Sequence, residues 1–199
     1  MKINIILAGV GGQGILTIAA VIDTAALASN LNIKQSEVHG MSQRGGAVQS
    51  HVRISDKEVY SDLIPVGKAD MIISVEPMEL LRYLPFLKKD GLLVTDSNPF
   101  LNITIYPELE ELYTEIKSYP NSILIDAQKI AKDLGNSRAT NIVLLGAASH
   151  QLPLSDESLQ QAIKTLFERK GEKIVAKNLE AFNAGKEIAK EIFSKKVVL

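Results

Sequence analysis

Two glycine-rich stretches carry residue types whose spacing could do chemistry, and the first lies near the start of the chain. Gly9, Gly11 and Gly14 match a G-x-G-x-x-G pattern, and Gly12 and Gln13 stand inside it. Glycine lets backbone N–H groups approach an anion, and a helix that begins after the loop adds the positive end of its dipole. Because this pattern alone is a weak signal, two interpretations stay open: an anion site, or a tight turn with close helix–strand packing.

The second stretch runs from residue 36 to residue 46 and mixes glycines with polar and charged side chains. Arg44 is its best candidate, because a guanidinium binds a carboxylate or a phosphate through two parallel hydrogen bonds. Glu37 lies at about the distance beyond Gly14 where a dinucleotide site places its ribose ligand, but it could instead orient Arg44 or His39. The other candidates for ligand or interface contacts are His39, Gly40, Ser42, Gln43, Gly45 and Gly46. No catalytic residue and no metal ligand is predicted in this chain alone.

Both stretches follow apolar runs that predict β-strands. Residues 3–8 precede the first glycine loop, residues 15–28 predict a helix, and residues 33–38 predict the second strand. Ligands of open α/β sheets bind beyond the carboxyl ends of the strands. We therefore expect the two loops to open on the same edge of a sheet, side by side if their strands are parallel neighbours.

Further patterns predict how the sheet is built and covered. Alternation over residues 47–54 predicts a strand with residues 58–61 as its hairpin partner, which would make the sheet mixed. A helix is expected to start at Glu76-Pro77 and to run through Leu87, and a long amphipathic helix is expected over residues 173–193, packed on the core rather than on a partner. The fold class is therefore a three-layer α/β/α sandwich with a mostly parallel, mixed sheet and a C-terminal helical extension. It is expected as a single domain over residues 1–199, with an α/β core over 1–150 and a helical part over 151–199.

The composition excludes several classes of function. A net charge of −1 without a basic patch argues against a nucleic-acid partner, and no apolar run is long enough to predict a membrane span. The count of 0 cysteines excludes disulfides, thiolate metal sites and an iron–sulfur cluster held by this chain. With a start that does not match a secretory signal, the composition predicts a cytoplasmic protein. Three histidines, at 39, 51 and 150, do not have the spacing of metal ligands.

Taken together, residues 9–15 and 36–46 resemble the gamma-type module of the 2-oxoacid:ferredoxin oxidoreductases, and within that family the small subunits of indolepyruvate ferredoxin oxidoreductases. The Ile64-Pro65 connector, the Ala69-Asp70 strand and the Glu76-Pro77 helix start are similar to that family too. The resemblance implies oxidative decarboxylation of a 2-oxoacid, with an aryl pyruvate as substrate, coenzyme A as co-substrate and ferredoxin as electron acceptor.

The resemblance also implies a division of labour between subunits. The family's holoenzyme uses thiamine diphosphate, Mg²⁺ and iron–sulfur clusters, whereas this chain has 0 cysteines and no segment typical of a thiamine diphosphate–metal site. A large partner subunit is therefore expected to hold these cofactors, and the isolated chain is expected to be inactive. Two other hypotheses stay open: a stand-alone, Rossmann-like dinucleotide-binding oxidoreductase, and an interaction module without a ligand.

Overall fold

The computed structural model describes residues 1–39, 45–101, 103 and 105–197. Its six-stranded sheet consists of β1 (Lys2–Val10), β2 (Asn32–His39), β3 (Ala47–Ser55), β4 (Ala69–Ser74), β5 (Leu87–Asp96) and β6 (Ser122–Ile125). In space the strands lie in the order β2-β3-β1-β4-β5-β6. β1, β4, β5 and β6 are parallel to one another, whereas β3 is antiparallel to both of its neighbours. The sheet is therefore mixed, as predicted.

The helices cover both faces of this sheet. They are α1 (Ile15–Ala28), α2 (Pro77–Arg82), α3 (Leu109–Ser118), α4 (Ala127–Asp133), α5 (Thr140–Ala148), α6 (Asp156–Phe167) and α7 (Glu172–Val197). The larger core joins one sheet face to α1, α4, α5, α6 and α7, and the smaller core joins the other face to α2 and α3. The predicted three-layer α/β/α sandwich with a long C-terminal helix is confirmed.

The C-terminal helix α7 packs into the larger core rather than standing apart from it. Ala181 and Phe182 are both 0% exposed. Two glycines permit the close crossing of α5 and α7: a Cβ at Gly146 would overlap the carbonyl oxygen of Phe182, and a Cβ at Gly185 would overlap that of Val143. The core-packing interpretation of this helix is therefore confirmed, and its amphipathic pattern comes from burial against α5.

Two local predictions are wrong. Residues 58–61 do not pair with β3, because β1 and β2 already occupy both edges of that strand. The helix that begins at Pro77 ends at Arg82, and a short 3₁₀ turn over Leu84–Phe86 leads directly into β5. Pro85 explains this early end, since proline inside a helix lacks the N–H for the helical hydrogen bond and clashes with the preceding turn.

The last turn of α7 lies against the edge strand β6. Lys196 Nζ donates hydrogen bonds to the carbonyl oxygens of Pro120, at 2.8 Å, and of Ser122, at 3.0 Å. Partial burial of this ammonium group lowers the pKa of Lys196. Among the helices of the described residues, none combines the length and apolar character needed to cross a membrane.

Candidate functional site

The first glycine loop forms the turn between β1 and α1 and is held by Gln13. The Gln13 side chain accepts a hydrogen bond from the Val10 N–H at 2.7 Å and donates one to the Val75 carbonyl oxygen at 3.3 Å. Val75 follows β4, which lies beside β1 in the sheet. Gln13 therefore closes the turn on itself and ties it to the end of the neighbouring strand.

Gly14 and Gly12 differ in what surrounds the position where a side chain would stand. Gly14, with φ +80°, precedes α1, and a Cβ there would lie 2.5 Å from Asn141 Nδ2. The same amide nitrogen donates to the Gly14 carbonyl oxygen at 2.9 Å, so the positive φ and this close packing together explain the glycine without a ligand. Gly12, with φ +100°, has nothing within 4 Å of the position of a Cβ. Its backbone is therefore open to an approaching group on the side where a side chain would stand.

The described part of the second stretch meets the first glycine loop. The Gly11 N–H donates to the Gly46 carbonyl oxygen at 2.8 Å, and the Gly45 N–H donates to the Gly11 carbonyl oxygen at 3.5 Å. The two loops meet because Gly46 leads into β3, whose first residue, Ala47, pairs with Val10. The described ends of the second stretch therefore lie at the same sheet edge as the first glycine loop, although β1 and β2 are not neighbours. Gly40, Ser42, Gln43 and Arg44 lie outside the described residues, as does the side chain of His39.

Glu37 lies on the edge strand β2, which is not a neighbour of β1. A dinucleotide-binding βαβ unit places its two strands side by side and parallel, whereas here the antiparallel β3 separates β2 from β1. The exposed Glu37 carboxylate accepts a hydrogen bond from Gln35 Nε2 at 3.5 Å on the same strand. This strand order does not match the stand-alone dinucleotide-binding hypothesis.

The glycine loop borders a cleft of about 660 Å³ at the carboxyl edge of the sheet. Gly12, Gln13 and Gly14 form one wall, and residues after β5 form another. The rest of the lining comes from the second half of the chain and includes Arg138, Asn141, Lys170 and Asn178. Sequence reasoning missed Arg138 and Lys170, since each stands in a short turn beside a helix and only the packing of α5 and α7 brings both to the glycine loop.

Positive charge dominates the accessible surface of the cleft. Among the described residues that line the cleft, Arg138 and Lys170 are the cations; both are exposed, and Lys170 Nζ lies 5.0 Å from the centre of the Phe167 ring. The lining carboxylate, Asp96, is only 3% exposed and accepts hydrogen bonds from Asn98 Nδ2 and the Ala127 N–H, each at 3.0 Å. Burial raises the pKa of Asp96, which these hydrogen bonds partly oppose. Asp96 thus holds the start of α4, and the two cations make the cleft suitable for an anionic group.

Other polar residues that the sequence drew attention to have structural roles. Glu76 accepts a hydrogen bond from the Glu79 N–H at 2.7 Å and caps α2, as expected of a residue before a helix. His51 is buried, and its Nδ1 accepts the Ile64 N–H at 2.9 Å; burial lowers the pKa of His51. Within the part of the chain that the structure describes, no group of three or more His, Asp or Glu side chains is placed to hold a metal ion.

The fold and the site together define an α/β protein with an anion-suited cleft beside two joined glycine loops. Residues 4–188 match the family described as pyruvate ferredoxin/flavodoxin oxidoreductase, and this chain belongs to that family. It is 41% identical over 201 residues to indolepyruvate oxidoreductase subunit IorB from Pyrococcus horikoshii, covering 96% of this chain and 98% of that relative.

Solved structures show the same relationship. The chain resembles the gamma subunit of a keto/oxoacid ferredoxin oxidoreductase from Geobacter sulfurreducens, with a TM-score of 0.70, 28% identity, and 95% and 99% of the two chains covered. It also resembles the 2-oxoglutarate:ferredoxin oxidoreductase from Magnetococcus marinus, solved with 2-oxoglutarate, coenzyme A and succinyl-CoA bound, with a TM-score of 0.75 and 25% identity. The match covers 96% of this chain but spans only 31% of that longer one.

Proposed function

We propose that this chain is the small subunit of an indolepyruvate:ferredoxin oxidoreductase. In that reaction an aryl 2-oxoacid loses CO₂, coenzyme A takes the acyl group, and two electrons pass to ferredoxin. The observation that carries the proposal is the 41% identity to the Pyrococcus subunit, which extends over 98% of that relative's length. The proposal includes a cytoplasmic location, where such a complex would meet ferredoxin.

We assign the cofactor chemistry to a large partner subunit. This chain has 0 cysteines, so the thiolate ligands of an iron–sulfur cluster must come from another chain. Thiamine diphosphate and Mg²⁺ are assigned to the same partner, where thiamine diphosphate supplies carbanion stabilisation. The role assigned to the present chain is to complete the active site by binding and orienting an anionic part of a substrate.

The cleft fits that role. Gly12 leaves open space on the glycine loop, and the loop leads into the N-terminus of α1, where the helix dipole favours negative charge. We assign Arg138 and Lys170 to a phosphate of coenzyme A, since both cations line the cleft with the loop. Arg44 is assigned by its motif alone to a carboxylate or phosphate at the subunit interface. The other motif residues, Glu37 to Gly46, are assigned to support that contact.

Reconstitution with the large subunit tests the function. The purified small subunit should show no turnover, whereas the complex should reduce ferredoxin when given indolepyruvate and coenzyme A. Arg44→Lys keeps the charge but loses the paired hydrogen bonds, so kcat/KM should fall by about 10- to 100-fold, which corresponds to about 1.5–3 kcal/mol. If Arg44→Lys and Arg44→Ala both stay within about twofold of the wild type, the loop has no ligand role.

The cleft assignment has its own measurement. Arg138→Ala and Lys170→Ala should each raise the KM for coenzyme A by about 10-fold, because each removes one charge-assisted contact. Arg169→Ala is the matched control, since Arg169 is an exposed neighbour of Lys170 that does not line the cleft. Equal effects of all three substitutions would mean a general charge effect and would remove the phosphate assignment.

A further inference from the structure

The connection between β5 and α3 exposes three large aliphatic side chains close together in sequence. Leu101 is 73% exposed, Ile103 is 45% exposed and Ile105 is 86% exposed. We call these three residues the apolar tip. Single exposed apolar residues are ordinary, whereas a group of them on one loop becomes a candidate interaction surface when a second observation supports it.

A buried carboxylate holds the two ends of this loop together. The Glu76 side chain is 0% exposed, and its Oε1 accepts hydrogen bonds from both the Phe100 N–H, at 3.4 Å, and the Tyr106 hydroxyl. Its other oxygen, Oε2, caps α2. Burying a carboxylate has a desolvation cost, and burial indeed raises the pKa of Glu76. That cost is offset by contacts that fix the base of the loop and leave the apolar tip in solvent.

The apolar tip also adjoins the cleft. Phe100, which precedes Leu101, lines the cleft together with the glycine loop. A macromolecule that covers the apolar tip would therefore also reach the mouth of the cleft. A second group of exposed apolar side chains among the described residues, Tyr60, Leu63 and Val66, lies on the loop between β3 and β4, and none of the three lines the cleft.

The comparison with relatives indicates which macromolecule would cover the apolar tip. In the Magnetococcus enzyme the matching domain is part of a longer chain, of which this chain spans 31%. The Pyrococcus subunit, by contrast, is matched over 98% of its length, so in that relative the domain forms a separate subunit. A domain that is not covalently joined to the rest of its enzyme needs a specific interface, typically about 800 Å² on each partner, with apolar residues at its centre.

We propose that the apolar tip is the surface through which this chain docks onto the large thiamine diphosphate subunit. Leu101, Ile103 and Ile105 enter an apolar depression on that subunit, and the fixed loop base places the cleft against it. This inference rests on the proposed function, because it takes its partner from there.

Binding between purified subunits tests the proposal. Ile105→Asp combined with Leu101→Asp should raise the Kd for the large subunit at least 100-fold, and the milder Ile105→Ser should raise it about 10-fold. Both side chains are exposed, so the unfolding temperature of the free small subunit should stay within about 2 °C of the wild type. Val66→Asp is the matched control: Val66 is 67% exposed, away from the cleft, and this variant should bind as the wild type does.

Each outcome decides between the two proposals. If wild-type small subunit does not bind the large subunit, the proposed function fails and this inference fails with it. If the wild type binds and restores activity while the tip variants bind within threefold of it, only the docking surface is wrong. Equal loss of binding by Val66→Asp would also overturn it. Light scattering gives the molar mass of the free small subunit. If the wild type is a dimer, Ile105→Asp is a monomer and both bind the large subunit equally well, the tip binds a second copy of this chain and the docking proposal is wrong.

Discussion

The side-chain amide of Asn141 donates to the carbonyl oxygen of Gly14 across 2.9 Å, and so joins the first turn of α5 to the glycine turn before α1. The absence of a side chain at Gly14 leaves the space that this amide fills. The two residues lie far apart in sequence and form adjacent parts of the cleft wall. The shape of the cleft therefore depends on a contact between the two halves of the chain.

The first prediction concerns this contact. Asn141→Ala removes this donor, while the Gly14 carbonyl oxygen keeps the Thr17 N–H as a partner at 3.0 Å, so the free energy of unfolding should fall by about 0.5–1.5 kcal/mol. Urea denaturation of the free subunit measures it. Asn183→Ala is the control, because Asn183 is exposed and accepts a hydrogen bond from Gln160 Nε2 at 3.3 Å on the surface, and it should change stability by less than about 0.5 kcal/mol. Equal stability of Asn141→Ala and the wild type would show that the contact contributes nothing.

A second prediction tests the helix crossing at Gly146. Gly146→Ala places a methyl group onto the Phe182 carbonyl oxygen, and because backbone cannot rotate away as a side chain can, α5 and α7 must separate. Overpacking of this kind costs about 1–3 kcal/mol or more. Gly135→Ala separates this clash from backbone strain, since Gly135, at the end of α4, has φ +72° with no atom within 4 Å of its Cβ position, and it should cost about 1–2 kcal/mol. Thermal unfolding of both variants compares them, and a smaller loss for Gly146→Ala than for Gly135→Ala would contradict the close crossing.

A third prediction is a pH dependence that arises from Asp23 on α1. Burial raises the pKa of Asp23 from 3.8 to about 6, and its Oδ1 is buried without a hydrogen-bond partner among the described residues. Because the pKa is higher in the folded chain, the stability linked to the protonated form is present below about pH 4 and is lost as the pH rises through about 6.

The substitution Asp23→Asn tests this origin. The amide cannot ionise, so the variant should be more stable than the wild type by about 1–2 kcal/mol at pH 7.5, with allowance for solvent screening, and equally stable at pH 4. Denaturation curves between pH 4 and pH 8 provide the comparison, and the exposed Asp90→Asn should show no such difference. A gain that is the same at both pH values would exclude ionisation of Asp23 as its cause.

The fourth prediction concerns Arg53, which fixes the loop between β3 and β4. Arg53 is buried, at 7% exposure, and its guanidinium donates to the Ser61 and Leu63 carbonyl oxygens at 2.7 and 2.9 Å, and to Asn4 Oδ1 at 3.0 Å. Arg53→Lys cannot reproduce this fork, so stability should fall by about 1.5–3 kcal/mol. The backbone N–H of Ile64, which follows Leu63 on this loop and donates to His51 Nδ1, should exchange its hydrogen faster in the variant than in the wild type. Unchanged exchange there, with unchanged stability, would mean that the loop holds without Arg53.

The sequence predicted those parts of the fold that local patterns determine. β1, the glycine turn and α1 follow from an apolar run, glycines and a helical pattern that are adjacent in the chain. The neighbours of β3 depend on long-range pairing, and for that reason the hairpin with residues 58–61 was wrong: the carbonyl groups at 61 and 63 bind Arg53 instead. The early end of α2 could have been predicted from the sequence, because Pro85 lies inside the range that was expected to be helical.

In the candidate site, too, local patterns predicted one part and long-range packing determined the other. The glycine motif was recognisable because a tight turn between β1 and α1 depends on backbone geometry, which the residue type itself reports. Arg138 and Lys170 could not be predicted, since a cation in a surface turn has the same local sequence whether or not a cleft forms beside it. Their position follows from the packing of the second half of the chain around α5, which no local pattern encodes.

The contact between Lys196 and the start of β6 also has a consequence for association between chains. The edge of a sheet presents backbone groups that can pair with a strand of another molecule, and proteins commonly cover such edges or place lysine there. Lys196 does both at the carbonyl groups of Pro120 and Ser122. A chain that lost the last turn of α7 would keep most of its core and yet gain an adhesive strand edge, so its defect would be aggregation of folded molecules.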